Sequence, residues 1–265
     1  MLFQMSMYIK WQHLNRTKSS LFSFLFIYTP LLYNMVKFVT LLAALAGMSA
    51  SVMAAPTSGT NAGVTITVKN SCSKSIQVNQ LTNDASDQKA TSLAAGSSTQ
   101  INVPSNWGGR IWAREGCSGS SDCNPGAPAS LAELLFKGAA GKDYYDVSFV
   151  DGYNLPISIS PNSGKADGYE CGVPACSSLP DCPSELQDKD SNGNVIGCKS
   201  ACAAFGTGEY CCTGDASERG KCAASKYSIP VKESCPDVYT YAYDDSTSMF
   251  SCSSSGYNLD KKYEG

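Results

Sequence analysis

Short stretches of alternating apolar and polar residues follow one another from Val64 to Pro161. In the first of them, Val64, Ile66 and Val68 alternate with threonines. This period of two is typical of a half-buried β-strand. Further strands are predicted at 75–78, 99–103, 110–113, 145–150 and 157–160, between clusters of Gly, Asn, Ser and Pro. Regular short strands with turn residues between them predict a β-sandwich or barrel.

The pattern changes after Pro161, where Cys, Gly, Ser and Asp become frequent and apolar periodicity nearly disappears. We predict a short helix around Lys199 to Phe205, and a late strand from Tyr239 to Phe250 that rejoins the sheet. Leu131 to Phe136 fits either a strand or one helical turn. Burial alone could not order such a loop-rich region, so disulfides must contribute, at about 2–4 kcal/mol each.

The pattern of the N-terminal 54 residues indicates a targeting segment. A short basic segment, Met35 to Lys37, precedes an apolar run from Phe38 to Val52 and a small-residue cleavage site, which predicts a signal peptide over 35–54. Residues 1–34 are then an upstream extension, not translated if Met35 rather than Met1 is the start. A membrane anchor is the alternative, but Pro30 and the polar residues leave each apolar run shorter than the roughly 20 residues that a spanning helix needs.

Cysteine usage points to an oxidising compartment. Ten of the 13 cysteines lie between Cys171 and Cys252, and none precedes Cys72. Such density predicts a secreted, disulfide-stabilised protein. The only histidine, His13, lies upstream of the predicted mature chain. Its position argues against a zinc site with histidine ligands and against Ser/His/Asp or Cys/His catalysis. We predict neither a metal nor a cofactor.

The net charge of the chain limits the kinds of molecule that it can bind. The chain has 20 Lys/Arg and 23 Asp/Glu, and residues 1–54 hold four of the basic residues and none of the acidic ones. The predicted mature chain therefore carries 16 minus 23 charges, a net charge of −7. Nucleic acids and anionic membranes need clustered Lys/Arg, so we predict no nucleic-acid partner and no stable membrane insertion of the mature chain. Neutral polymers or cationic partners fit better.

Several ordered motifs occur together along the mature chain. They are 64–72 (VTITVKNSC), 109–114 (GRIWAR), 130–134 (SLAEL), 143–156 (DYYDVSFVDGYNLP), 209–212 (EYCC) and 235–245 (CPDVYTYAYDD). With these motifs the chain resembles the thaumatin-like proteins over nearly all of its mature length. The resemblance implies a mainly β protein with a thaumatin-like β-sandwich core, a disulfide-rich loop and helix domain, and a small third loop domain. On this basis we divide the mature chain into 55–161, the first part of the sandwich; 162–238, the disulfide-rich part; and 239–265, the returning strand and tail.

The resemblance also implies an acidic cleft between the first two domains, lined by one Arg, one Glu and three Asp. Carried over motif by motif, its residues are Arg110, Glu133, Asp146, Asp151 and either Asp244, which its offset from Cys235 favours, or Asp245. Glycoside hydrolysis uses two carboxyl groups, one as proton donor and one ionised. Glu133 is the predicted acid, with Asp151 or Asp146 opposite it.

Aromatic residues near this predicted cleft admit two interpretations. They are Trp112, Tyr144, Tyr145 and Tyr153. Their rings could stack on sugar faces, but their alternation also fits packing in the core, which is the interpretation that we favour.

The resemblance further implies how the cysteines pair, a choice that spacing alone leaves open. The implied disulfides are Cys117–Cys123, Cys171–Cys252, Cys176–Cys235, Cys182–Cys198, Cys202–Cys211 and Cys212–Cys222. A loop that carries two further cysteines in plant members is shortened here, and the usual C-terminal cysteine is absent. Cys72 would have bonded to it, so we expect a free thiol there. The compact loop and the leader rich in Ala and Leu are more similar to fungal members.

These observations lead to one main hypothesis and two alternatives. The main hypothesis is a secreted, monomeric protein that binds β-1,3-glucan or another cell-wall polysaccharide through the cleft, with weak endo-β-1,3-glucanase activity in wall remodelling or antifungal defence. The first alternative is a binding or antifungal module without catalysis. The second is an inhibitor of secreted hydrolases.

Overall fold

Two β-sheets form the centre of the computed structural model, which describes residues 63–116, 128–218 and 220–261. The first sheet has five strands in the order β4-β1-β13-β8-β9, and β1 and β13 run parallel. Its strands are β1 (Val64–Asn70), β4 (Ser98–Val103), β8 (Ile157–Pro161), β9 (Ala175–Cys176) and β13 (Gly256–Lys261). The first and last strands of the described chain are thus neighbours.

The second sheet has six strands in the order β12-β7-β6-β5-β2-β3. Its strands are β2 (Ile76–Thr82), β3 (Lys89–Leu93), β5 (Gly108–Glu115), β6 (Leu131–Leu135), β7 (Asp143–Ser148) and β12 (Phe250–Cys252). All of the pairings within it are antiparallel. Every strand predicted from alternation before Pro161 is present, and the segment that fitted either a strand or a helical turn is strand β6.

The core lies between the two sheets. Ile66 and Val68 of β1 are fully buried, and they belong to one cluster with Ile111 and Val147 of the second sheet. The threonines between the apolar residues of β1 are only partly buried, as the alternation predicts. The ring of Tyr257 on β13 stacks on Phe136 at a centroid distance of 5.4 Å and packs at a tilt against Tyr145 at 5.2 Å. Mainly β structure in packed sheets is therefore confirmed.

The region between β8 and β12 holds the short elements. They are the hairpin of β10 (Gln187–Lys189) and β11 (Val195–Cys198), and the helices α1 (Ala201–Phe205), α2 (Gly208–Cys211) and α3 (Ser228–Ser234). The helix expected near residues 199–205 is thus confirmed as α1. Its first turn is capped by the Ser200 hydroxyl, which accepts the Ala203 N–H, and it ends at Gly206 with a left-handed φ of 65°.

The late strand predicted from Tyr239 to Phe250 is wrong over most of its length. Strand β12 begins only at Phe250, and the preceding residues form a loop with a short 3-10 turn at Asp245–Thr247. The Asp244 carboxylate accepts hydrogen bonds from the backbone N–H and the hydroxyl of Thr240, at 3.1 and 2.9 Å. A side chain that binds nearby backbone in this way favours a turn over an extended strand.

Five disulfides tie the region after Pro161 together. They are Cys171–Cys252, Cys176–Cys235, Cys182–Cys198, Cys202–Cys211 and Cys212–Cys222, the pairs that the resemblance implies. The first two span 81 and 59 residues. Cys72 belongs to none of these five; it is buried, and its Sγ lies 3.5 Å from the Lys261 carbonyl oxygen. Cys117 and Cys123 lie outside the described residues, as do residues 1–62 with the predicted signal peptide.

No helix in the described ranges is long and apolar enough to span a bilayer.

A lysine is completely buried at the end of β13. Lys261 has no exposed surface, and its ammonium donates to the carbonyl oxygen of Ser130 at 2.9 Å. Burial lowers its pKa to about 7, an effect that Cys72 partly opposes. Burial also raises the pKa of Tyr153 to about 12 and the pKa values of Tyr145 and Tyr257 further still. These shifts make the free energy of unfolding dependent on pH at neutral to alkaline values.

Lys261→Met tests the buried ammonium. Between pH 7 and the ordinary lysine value of 10.5, the unfolded chain binds a proton that the folded chain does not. The free energy of unfolding should therefore rise with pH from about 7, by roughly 1 kcal/mol per pH unit. It should fall again above about pH 10, where the unfolded tyrosines ionise first. We expect the urea midpoint to rise from pH 7 to pH 9 in the wild type and to stay flat in Lys261→Met.

Lys69→Met is the matched control, because Lys69 lies on the neighbouring strand β1 with 56% of its side chain exposed. The urea midpoint of this variant should rise from pH 7 to pH 9 as it does in the wild type. An unchanged rise in Lys261→Met would assign the pH dependence to other groups.

Candidate functional site

Three charged residues lie side by side on strands β5, β6 and β7. Arg110 is opposite Glu133, and Glu133 is opposite Asp146. Directly paired residues share a face of the sheet, with Cβ atoms about 4.5–5.5 Å apart. The next residues along, Ile111, Leu134 and Val147, point into the core. The three charged side chains, which we call the charged row, therefore lie on the sheet face away from the core.

The charged row is largely shielded from water. Glu133 is 3% exposed and Asp146 is 2% exposed. Arg110 keeps somewhat more contact with water, with 12% of its side chain exposed. Buried charges are costly unless they are paired, so this part of the sheet depends on the mutual placement of acidic and basic groups.

Asp151 joins the charged row from the turn that follows β7. Its Oδ2 lies 3.6 Å from Nη1 of Arg110, and 20% of its side chain is exposed. The next residue, Gly152, has a φ of 105°, and a Cβ there would lie 2.1 Å from the carbonyl oxygen of Cys198. Only glycine fits this close approach. Tyr153 and Cys198 then exchange two backbone hydrogen bonds, so the turn with Asp151 is held against the end of β11.

Asp244 and Asp245, the two candidates for the fifth position, have different surroundings. Asp244 is buried, and its Oδ2 lies 3.1 Å from the Lys232 ammonium besides accepting from Thr240. Asp245 is only partly buried and accepts a hydrogen bond of 2.8 Å from the Tyr239 hydroxyl. The Asp244 carboxylate is therefore used inside its own loop, whereas Asp245 lies nearer to the surface.

Tyr239 connects this loop to the sheet. Its N–H donates to the carbonyl oxygen of Val147 at 2.9 Å, and its carbonyl oxygen accepts the Phe149 N–H at 2.8 Å. Val147 directly follows Asp146 in the chain. The loop with Asp245 is thus fixed beside the strand that carries one end of the charged row.

Lys232 of α3 holds the same loop from the other side. Its ammonium donates to the Val238 carbonyl oxygen at 2.9 Å and to the Ser248 hydroxyl at 2.6 Å, besides pairing with Asp244. Burial lowers the pKa of Lys232, and the nearby Asp244 carboxylate opposes that effect. Sequence reasoning missed Lys232, because no motif or spacing marks a lysine whose partners are brought to it by the fold. Tyr239 and Thr240 lie inside the motif 235–245, but the motif alone does not show which atoms they bind.

The aromatic residues near the charged row are packing residues. Trp112 and Tyr145 are 1% exposed, and the Tyr145 hydroxyl donates to the Gly172 carbonyl oxygen. Tyr153 is buried and donates to backbone oxygens of residues 180 and 181. Tyr144 is half-buried and donates to the Ala139 carbonyl oxygen. Trp112, Tyr145 and Tyr153 are thus buried in agreement with the packing interpretation, whereas the Tyr144 side chain keeps some contact with water.

Within the ranges that the structure describes, no group of three or more His, Cys, Asp or Glu side chains is placed to hold a metal ion.

Comparison with known proteins identifies the family of this chain. The model of the Thaumatin family matches residues 70–260. A glucan endo-1,3-beta-glucosidase of Prunus avium is 40% identical over 210 residues, or 71% of this chain and 85% of the relative. Pathogenesis-related thaumatin-like protein 3.5 of Cryptomeria japonica is 42% identical over 222 residues, covering 75% and 90% of the two chains. Pathogenesis-related protein 5 of Arabidopsis thaliana is 42% identical over 185 residues, covering 63% and 76%.

Lys232→Met tests how the loop beside the charged row is held. Removing the ammonium leaves the buried Asp244 carboxylate without its cation, which costs about 3–5 kcal/mol for a fully buried pair. Lys232 keeps 24% of its side chain exposed, so we expect a loss of roughly 2–3 kcal/mol in the free energy of unfolding, measured by urea denaturation.

Lys221→Met provides the control, since Lys221 is 58% exposed and pairs with the exposed Glu218 at 3.1 Å. Its loss should stay under about 0.5 kcal/mol. Equal losses of unfolding free energy in the two variants would show that the Lys232–Asp244 pair stabilises the fold no more than an exposed pair does.

Proposed function

Because the chain belongs to the thaumatin family and has the mainly β, disulfide-linked sandwich expected of it, we propose that its charged row lines a cleft that binds β-1,3-glucan. The observation that carries this proposal is the alignment of Arg110, Glu133 and Asp146 on adjacent strands, with Asp151 bound to Arg110. The relative named as a glucan endo-1,3-beta-glucosidase supports the choice of polymer.

The chemistry of the proposed cleft suits a neutral, hydroxyl-rich ligand. Carboxylates accept hydrogen bonds from sugar hydroxyls, and the Arg110 guanidinium donates to their oxygens. A polyanion would meet three carboxylates against one guanidinium, on a predicted mature chain of net charge −7. Nucleic acid and anionic lipid are therefore poor ligands for it. We propose Asp245 as the further carboxylate of this cleft, because Asp244 is bound to Lys232 inside its loop.

The same residues offer a mechanism for slow hydrolysis. Glu133 is the proposed proton donor, because it lies at the centre of the charged row, between Arg110 and Asp146 on the neighbouring strands. Asp151 is the proposed ionised partner, because it is more exposed and lies beside Arg110. It would activate water or attack the sugar carbon. Asp146 remains the alternative for that role.

One observation favours binding without turnover. Glu133 and Asp146 are 3% and 2% exposed, so little of either carboxyl is open to a glycosidic oxygen. In that case Asp151 and Arg110 contact the polymer, and the buried carboxylates set the charge of the cleft. A binding or antifungal module is therefore the second candidate function.

The remaining proposals concern where the protein acts, its oligomeric state and its source. The five disulfides and the pathogenesis-related relatives indicate an extracellular protein. We propose that it acts as a monomer at a cell wall, in remodelling or defence. The relatives described above are plant proteins, so a fungal source stays a prediction. Inhibition of secreted hydrolases also stays a prediction, for which co-purification with such enzymes is the test.

Glu133→Gln separates the candidate functions. The change keeps the shape of the side chain but removes the acid, and a general acid typically contributes about 10²–10⁴-fold to the rate. If the cleft is catalytic, release of reducing ends from linear β-1,3-glucan should fall about 100-fold or more. Undiminished release would eliminate Glu133 as the acid.

Glu233→Gln is the matched control, because Glu233 is exposed on α3. It should release sugar at the wild-type rate. A wild type that binds insoluble β-1,3-glucan in a sedimentation assay but releases no sugar would establish the binding module instead. A wild type that neither binds nor cleaves the polymer would refute the proposed function.

A further inference from the structure

Three aromatic rings form a cluster on the surface of the disulfide-rich region. Phe205 ends α1, Tyr210 lies in α2 and Tyr227 precedes α3. Their centroids are 5.6 Å apart for Phe205 and Tyr210, 5.3 Å for Phe205 and Tyr227, and 5.8 Å for Tyr210 and Tyr227. We call this cluster the aromatic platform.

The rings of the platform keep contact with water, unlike the buried Trp112, Tyr145 and Tyr153 near the charged row. Phe205 is 40% exposed, and Tyr210 and Tyr227 are half-buried. Surface clusters of this kind often mark sites that bind something. Tyr227 also packs against the main core, so one ring anchors the platform and the others extend it outward.

The backbone holds the rings in place before any ligand arrives. The left-handed turn at Gly206, whose N–H donates to the Cys202 carbonyl oxygen at 2.9 Å, ends α1 directly after Phe205. The Cys202–Cys211 disulfide then ties α1 to α2. A rigid aromatic surface loses little conformational entropy when it binds.

The rim of the platform carries charges of both signs. The Lys226 ammonium lies 4.9 Å from the centroid of the Tyr227 ring, and the Tyr227 hydroxyl donates to Glu185 Oε1 at 3.4 Å. Glu209 is exposed beside Tyr210. A polyanion or a polycation would meet like charge on this rim. A neutral sugar, whose hydroxyls both donate and accept, meets only compatible partners.

The platform borders a cavity that also contacts the turn around Asp151. This cavity, of about 70 Å³, is lined by Tyr210 and Tyr227 and by Val150 and Gly152. Val150 and Gly152 are the chain neighbours of Asp151, which belongs to the proposed cleft. The wall of one cavity thus includes two of the three platform rings and the turn that carries Asp151.

We propose that the aromatic platform is a second contact site for the glucan chain bound in the cleft. This inference rests on the proposed function and adds to it a preference for long chains. The rings stack on the apolar faces of sugars outside the cleft, and Lys226, Glu185 and Glu209 bind their hydroxyls. Short oligosaccharides occupy the cleft alone.

Phe205→Ala tests the platform through the length of the ligand. Isothermal titration would compare a soluble linear β-1,3-glucan with a β-1,3-linked trisaccharide. One aromatic contact corresponds to roughly a two- to tenfold change in affinity. We expect Phe205→Ala to bind the polymer about fivefold more weakly and the trisaccharide as the wild type does. Asp151→Ala, a change in the cleft itself, should weaken both.

Tyr169→Ala is the matched control, because Tyr169 is 44% exposed and contacts Phe250 away from the platform. It should bind both ligands as the wild type does, and thermal unfolding would verify that each variant is folded. Unchanged polymer affinity in Phe205→Ala, with weaker binding by Asp151→Ala, would overturn the platform and leave the cleft intact. A wild type that binds neither ligand would refute the proposed function and the platform with it. The wild type could also sediment as a dimer and Phe205→Ala as a monomer, with the same affinity for glucan. That result would assign the platform to self-association and overturn the proposal.

Discussion

Charge can be buried on the outer face of the second sheet only because β5, β6 and β7 pair in one register. That register aligns Arg110, Glu133 and Asp146 and at the same time directs their neighbours into the core. A shift of one residue in any of the three strands would exchange the two faces and bury the charges among apolar side chains. One register therefore sets both the core face and the charged row, to which the other groups of the site are added.

The disulfide-rich region completes the site by pressing against that sheet at two places. One is the close contact between Gly152 and the Cys198 carbonyl, which fixes the turn with Asp151. The other is the loop of Tyr239 and Asp245, which Lys232 ties to α3. Tyr153 and Tyr239 are buried in these contacts, and disulfides such as Cys182–Cys198 and Cys176–Cys235 add further order to the segments that make them.

The parts of the fold that follow a local rule could be predicted from the sequence. Alternation located β1, and the turn residues separated the strands that follow it. Strand β3 was missed because four of its five side chains are exposed and show no alternation. The segment after Tyr239 was predicted as a strand because its residue types favour one, but Asp244 binds its own loop. The charged row was predicted from family motifs, whereas Lys232 and the aromatic platform depend on contacts between distant segments that carry no local signal.

The parallel pairing of β1 with β13 affects how the chain can be assembled during synthesis. β13 lies inside the first sheet, between β1 and β8, and yet it is the last strand of the described chain to leave the ribosome. Until β13 is synthesised, β1 and β8 have no common partner, and each keeps an unpaired edge. The Cys171–Cys252 disulfide also needs a cysteine from this late part of the chain. The first sheet and this disulfide can therefore be completed only near the end of synthesis, and until then the unpaired edges of β1 and β8 are sites where chains could aggregate.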